Sequence, residues 1–145
     1  MSKNINKINR LIEVYGDTCW MGYTVSDRNP YTFHHIKKDC DGGKRNLENG
    51  ALLSIYAHKD LNEIERKLKQ YYLELNKLFR ELNATKAPPT LEYYIELNKI
   101  LKKVSSIIML SKYYNPKREI TIVENEEYEN SNGIFVLQKR FRMLT

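Results

Sequence analysis

The stretch that decides the fold of this chain is residues 31–58, YTFHHIKKDCDGGKRNLENGALLSIYAH. It opens with a run of aromatic and β-branched residues, which is typical of a short strand. A polar loop with two glycines follows, and Asn49 then precedes a second apolar run that reads as a strand or as the lead into a helix. From about Tyr56 apolar residues recur at helical spacing. The stretch therefore predicts strand, loop, strand and helix, and it holds all three histidines of the chain.

The three histidines point to a particular chemistry. Hydrolysis of a phosphodiester bond needs a nucleophilic water, neutralised charge at the phosphate and help for the leaving 3′ oxygen. An imidazole can serve as the base, since its pKa lies near neutrality. One divalent metal can meet the other two needs if at least two side chains hold it and other positions stay open. His34, His35 and His58 therefore offer two metal-binding imidazoles and a third that could act as a base.

The order of the histidine pair, Asn49 and His58 resembles the signature of the HNH endonucleases, which are the ββα-metal nucleases. The resemblance covers less than a third of the chain, but four positions and their spacing agree together. It implies that His34 and His58 bind the metal and that His35 is the general base. It also implies that Asn49 ties the loop or orients the base. Asn46 is a rival for this role, and Asn49 is preferred because it immediately precedes the apolar strand.

The resemblance implies one divalent metal ion and leaves its identity open. Imidazole ligands suit zinc, nickel or manganese better than magnesium, which many family members use. Many members also carry two C-x-x-C pairs around the core. This chain has only Cys19 and Cys40, which form no such pair, so a four-cysteine structural zinc site is excluded and apolar packing must replace it.

The charge of the chain favours a polyanionic partner. Its formal net charge is +6 and its isoelectric point is about 9.2, which promotes binding to nucleic acid by counterion release and electrostatic steering. Cations flank the histidine pair in the loop. We predict that these cations contact the phosphates of DNA, and the alternative is a solvated loop: Lys37, Lys38, Lys44 and Arg45.

The remainder of the chain predicts mostly helix. Residues 4–15 form an amphipathic pattern that Gly16 can end. A heptad seam from Leu61 to Leu82 predicts one long helix, and a second seam follows Pro88-Pro89, with Thr90 as its N-cap. Because a short proline-containing loop joins the two seams, they predict an antiparallel helical hairpin.

The C-terminal region predicts a β-hairpin, with strands over residues 119–123 and 134–137 and an Asn132-Gly133 turn between them. The expected fold class is therefore α+β: a ββα-metal core with an appended antiparallel helical hairpin and a C-terminal β-hairpin. Residues 1–82 would hold the nuclease-like core running into a long helix. Residues 83–145 would form the helical and β-hairpin appendage, packed on the core as one unit.

Two function classes follow from these features. The first is a metal-dependent HNH endonuclease that cuts DNA, of phage or mobile-element type. The second is an HNH fold used only to bind nucleic acid or a protein, for example as a phage inhibitor of host defence. The heptad seams allow a monomer or a homodimer. No apolar run approaches the roughly 20 residues needed to span a membrane, and the N-terminus lacks the apolar core of a signal peptide. We therefore expect a cytoplasmic protein, in the host cytoplasm if it is phage-encoded.

Overall fold

A computed structural model of the chain describes residues 3–38, 42–43, 46–114, 120–124 and 139–143. The chain is of mixed α+β class, as the sequence predicted. In chain order its elements are α1 (Lys3–Tyr15), β1 (Tyr31–His35), a 3₁₀ turn (Leu47–Asn49), β2 (Gly50–Ser54), α2 (Ile55–Lys67), α3 (Lys69–Thr85), α4 (Leu91–Ser105), β3 (Ile120–Glu124) and β4 (Lys139–Met143).

Strands β1 and β2 form an antiparallel pair. The sequence predicted a strand close to β1, and of the two alternatives left open for the second apolar run the structure shows the strand. In the register, His34 lies opposite Ala51 and His35 lies opposite Gly50. All five residues of β2 are buried. Gly50 is required by close packing, because a Cβ at this position would lie 2.5 Å from the ring of Phe33. The glycine therefore allows the Phe33 ring to lie across the first residue of β2.

Helix α2 follows β2 without a loop. The Ser54 hydroxyl caps it by accepting from the backbone N–H of Ala57 at 3.1 Å, which satisfies one of the first-turn donors. The buried side chain of Asn29 adds a second tie, since its oxygen accepts from the backbone N–H of Tyr56 at 2.9 Å. The angle at which α2 leaves the strand is thus fixed from both sides.

The predicted single helix from about Tyr56 to Leu82 is wrong, because the chain breaks at Leu68. This residue has φ −136° and ψ 61°, so it ends α2, and its carbonyl accepts from the backbone N–H of Tyr72 at 3.2 Å to start α3. An unbroken helix of this length would extend roughly 40 Å. The break instead lets α3 contact α2, β2 and the 3₁₀ turn.

Helices α3 and α4 pack against each other across a short loop, in agreement with the predicted pair of seams. Lys86 ends α3 in the left-handed conformation with φ +53°. The predicted N-cap of α4 is confirmed, since the Thr90 hydroxyl accepts from the backbone N–H of Tyr93. The seam side chains Leu97, Leu101 and Val104 are fully buried, so the two seams contribute to the apolar core.

Helix α1 closes the other side of the strands. It agrees with the predicted amphipathic helix, and it ends before Gly16, which has φ +94°. The Tyr15 hydroxyl donates to the backbone carbonyl of Asn83 in α3 at 2.5 Å. Trp20 is fully buried, and its backbone N–H donates to the carbonyl of Leu52 at 2.8 Å. Helix α1 therefore packs on both strands and also reaches α3.

Strands β3 and β4 pair in antiparallel register, Ile120 with Met143 and Glu124 with Lys139. The first strand agrees with the prediction. The predicted strand over residues 134–137 and its Asn132-Gly133 turn lie outside the described residues, and the sequence did not predict β4. None of the helices within the described ranges is long and apolar enough to cross a membrane.

Candidate metal centre

Two of the three histidines are brought together by neighbouring elements. His34 lies near the end of β1 and is 5% exposed, and His58 lies in the second turn of α2. Their ring centroids are 5.2 Å apart and their planes are nearly perpendicular, at 85°. The sequence predicted these two histidines as metal ligands, and the fold brings their rings close together.

The partner of His58 determines which ring nitrogen carries its proton. Thr32 Oγ1 lies 2.8 Å from His58 Nδ1, and the same hydroxyl donates to the carbonyl of Leu53 at 2.9 Å. A hydroxyl has a single proton to donate. Since that proton is committed to Leu53, Thr32 must accept from Nδ1–H of His58. The lone pair of this imidazole is then on Nε2.

The partner of His34 settles its tautomer in the same way. Its Nε2 lies 2.9 Å from Oδ1 of Asn76 in α3, and both side chains are buried. An amide oxygen can only accept, so Nε2 carries the proton and Nδ1 carries the lone pair. Imidazoles that bind metals almost always donate their other N–H to an oxygen in this manner. Both histidines thus have the hydrogen-bonding pattern of metal ligands.

Burial favours the neutral form of both imidazoles. Desolvation lowers the pKa of His34 to about 4, against the opposing effect of its hydrogen bond with Asn76, and the positive charges that His58 and His35 can carry lower it further. The pKa of His58 is lowered by burial and then by His35. A neutral imidazole is the form that binds a metal, so the lowered pKa values reduce competition between protons and an ion.

The donor set fits a divalent ion of borderline softness. Two imidazoles bound at about 2.0–2.1 Å to one tetrahedral ion have ring centroids roughly 5 Å apart, which matches the observed 5.2 Å. Within the described residues there is no group of three or more His, Cys, Asp and Glu side chains that could hold a metal. Among the described residues, His34 and His58 are the candidate ligands, and other ligands would complete the coordination of the ion.

Asn49 ties together the two ends of the loop that separates the strands. Its side-chain oxygen accepts from the backbone N–H of Lys37 at 2.8 Å, and its Nδ2 donates to the carbonyl of the same residue at 2.8 Å. Its own carbonyl accepts from the backbone N–H of Ile36 at 2.9 Å. The rival Asn46 precedes the 3₁₀ turn, where its carbonyl accepts from the backbone N–H of Asn49 at 3.0 Å.

His35, the predicted general base, follows His34 in β1 and directly precedes the residues that Asn49 holds. It ends β1, opposite Gly50, and its half-buried ring packs edge-on to Phe33 with centroids 5.1 Å apart. The two residues that follow His35, Ile36 and Lys37, are those that Asn49 holds. The position of His35 is therefore constrained on both sides along the chain.

The predicted phosphate-binding cations are described only in part. Lys37 is exposed, and Lys38 forms an ion pair with Glu65 of α2 at 2.5 Å. Burial acts to raise the pKa of the Glu65 carboxyl, but Lys38 and Lys69 outweigh it and lower that pKa. Lys44 and Arg45 lie outside the described residues.

Sequence reasoning missed the polar residues that position the site. Thr32 and Asn76 orient the two imidazoles, as described above. Asn83 is buried as well, and its Nδ2 donates to the carbonyls of Leu47 and Gly50 at 2.7 and 2.8 Å. The available signal was the spacing of Asn76 and Asn83. They are seven residues apart, which places them on one face of α3, among buried apolar and aromatic side chains.

No family model, curated protein or solved structure matches the chain.

Proposed function

We propose that this protein is a metal-dependent endonuclease of the HNH type that hydrolyses phosphodiester bonds of DNA. The observation that carries the proposal is the pair His34 and His58. Their rings lie 5.2 Å apart, and the acceptors that orient them, Asn76 and Thr32, leave a lone pair on each imidazole. Each imidazole thus keeps one lone pair that could bind an ion.

In this proposal His34 and His58 hold one divalent ion between the end of β1 and α2. When bound, the ion would neutralise charge on the phosphate and stabilise the leaving oxygen. His35 takes a proton from the attacking water. The water oxygen forms a bond to phosphorus, the bond from phosphorus to the 3′ oxygen breaks, and the alkoxide so formed takes up a proton. The products are a 5′ phosphate and a 3′ hydroxyl.

Asn49 has a positioning role in this proposal. Its two side-chain hydrogen bonds to Lys37 hold the chain just after His35. A base must lie within hydrogen-bond reach of the water it activates, so fixing the backbone at this point limits the positions that the imidazole can take. The role requires both the amide oxygen and the amide nitrogen of Asn49, since one accepts and the other donates.

The test is cleavage of supercoiled plasmid by the purified protein with zinc, nickel, manganese and magnesium in separate reactions. We expect His35→Ala to lower the cleavage rate by ~10²–10⁴-fold while calorimetric metal binding is retained. We expect His58→Ala to lose metal binding and cleavage together. Lys103→Ala, at an exposed position of α4, is the control and should behave as the wild type.

Two results would contradict the proposal. Equal cleavage by wild type and His35→Ala would remove His35 as the base. Absence of cleavage with every metal, in protein that binds DNA and metal, would favour the alternative class, in which the same fold only binds its partner.

A further inference from the structure

A basic groove lies beside Asn76, the buried residue that orients His34. It has a volume of about 650 Å³ and runs between the end of β1 and helices α2 and α3. Its charged lining comprises Lys37, Lys38, Glu65, Lys69, Lys77 and Arg80. Five cations therefore face one carboxylate, and three of the cations lie on α3, outside the stretch that carries the histidines.

The three α3 cations form a row along one helix face. Lys77 and Arg80 are eight and eleven residues after Lys69, so all three lie on the same side of the helix, and the row extends over roughly 16 Å. Lys69 is partly neutralised, since it lies 3.5 Å from the carboxylate of Glu65. Within the described part of the chain no carboxylate pairs with Lys77 or Arg80, and both are exposed.

Asn76 connects this row of cations to the candidate metal centre. It belongs to the lining of the groove and also accepts from Nε2 of His34. It lies one residue before Lys77 and one helical turn before Arg80. A phosphate held by these cations would therefore be close along the helix to the residue that orients a metal ligand.

We infer that this groove binds the phosphate backbone of duplex DNA next to the bond that is cut, an inference that rests on the proposed function. A row of roughly 16 Å matches the axial length of about five phosphates of one strand. An acidic protein partner is a poorer fit, since the centre of a protein interface is usually apolar or aromatic. Here Leu73 is the exposed apolar side chain of the lining, and Tyr72 is buried.

The experiment measures binding of a fluorescein-labelled DNA duplex by anisotropy, in the presence of EDTA, over a series of salt concentrations. The groove variant is Lys77→Gln/Arg80→Gln. The control is Lys102→Gln/Lys103→Gln, which removes the same two charges from exposed positions of α4. If each groove cation contacts one phosphate, the slope of log K against log salt should become smaller by about 2 in the groove variant and should not change in the control.

Thermal melting of both variants verifies that they fold. We expect both to be stable, because the replaced side chains are exposed and their removal leaves no buried polar group without a partner. An equal loss of affinity in both variants would overturn the inference, because binding would then follow net charge alone. Unchanged DNA binding in the groove variant would overturn it too, and would direct the search to an acidic protein.

These outcomes are separable from failure of the endonuclease proposal. DNA binding is measured without metal, so it does not depend on cleavage. If the wild type cuts no plasmid and only the groove variant loses DNA affinity, the groove inference would stand and the endonuclease proposal would fail. If the wild type cuts plasmid and the groove variant binds DNA as tightly as the wild type, the endonuclease proposal would stand and the groove inference would fail.

Discussion

Replacing Asn76 by alanine tests whether helix α3 orients the proposed metal ligand His34. The substitution removes the amide oxygen that accepts from His34 Nε2 at 2.9 Å. His34 is only 5% exposed and its Nε2–H faces the buried Asn76, so this N–H would be left without a partner inside the core. An unsatisfied buried donor costs about 1–3 kcal/mol in the free energy of unfolding. Loss of a partner that orients a metal ligand typically costs a further 10–100-fold in metal affinity.

The assay combines three measurements on Asn76→Ala and on a matched control, Asn83→Ala. Urea denaturation gives the free energy of unfolding, calorimetry with zinc gives the metal affinity, and long-range ¹H–¹⁵N correlation gives the imidazole tautomers. Asn83 is buried on the same helix, but its side chain donates to the carbonyls of Leu47 and Gly50. We therefore expect both variants to lose stability and only Asn76→Ala to lose metal affinity.

A rescue variant strengthens the test. Asn76→Asp keeps an acceptor in place, and a carboxylate beside the imidazole should raise the pKa of His34 and make it a more basic ligand. We expect metal affinity close to that of the wild type. If Asn76→Ala and Asn83→Ala lowered metal affinity equally, or if Asn76→Ala left it unchanged, then Asn76 would not orient a ligand and the reasoning would be refuted.

Two further predictions follow from burial and packing. Because the folded pKa of His34 is about 4 against an ordinary value of 6.5, the unfolded chain alone binds this proton between those pH values. The free energy of unfolding should therefore fall by on the order of 3 kcal/mol as pH drops through that window, and His58 should add to the fall. Urea midpoints that stay constant between those pH values would contradict this prediction. Gly50→Ala should place a Cβ against Phe33 and destabilise the chain by about 1–3 kcal/mol; melting temperatures would show it, and a variant as stable as the wild type would mean that the Phe33 ring moves freely.

The local patterns of the sequence were sufficient for most of the elements. Alternating aromatic and β-branched residues located β1, and Gly16 located the end of α1. The capping chemistry of Thr90 located the start of α4. Each of these signals acts over a few residues of chain, which is why it can be read without knowledge of the tertiary contacts.

The break at Leu68 and the role of Asn76 could not be predicted in this way. Leu68 is a good helix former with no proline or glycine beside it, so local propensity favours a continuous helix. The break is instead explained by the packing of α3 on β2 and α2. Asn76 is 42 residues from His34 in sequence, and a polar residue inside an apolar seam does not reveal which partner it has.

The candidate site itself was predicted only as a set of residues. The spacing of His34, Asn49 and His58 selected these residues, but it did not predict the tautomers or the pKa values of the two imidazoles. Their tautomers depend on Thr32 and Asn76, and the depressed pKa of His34 depends on burial by elements later in the chain. That His34 and His58 meet was contained in the motif, whereas the protonation of each nitrogen is a property of the completed fold.

The two asparagines of α3 have a consequence for the order in which this site comes into being. Asn76 holds an imidazole of β1 and Asn83 holds the first residue of β2, so both strands depend on a helix that the ribosome makes after them. A nascent chain that has exposed only its first 67 residues carries every histidine of the motif and none of the groups by which α3 arranges them. We therefore expect the site to become competent for metal late in synthesis, once the helix has docked on the strands.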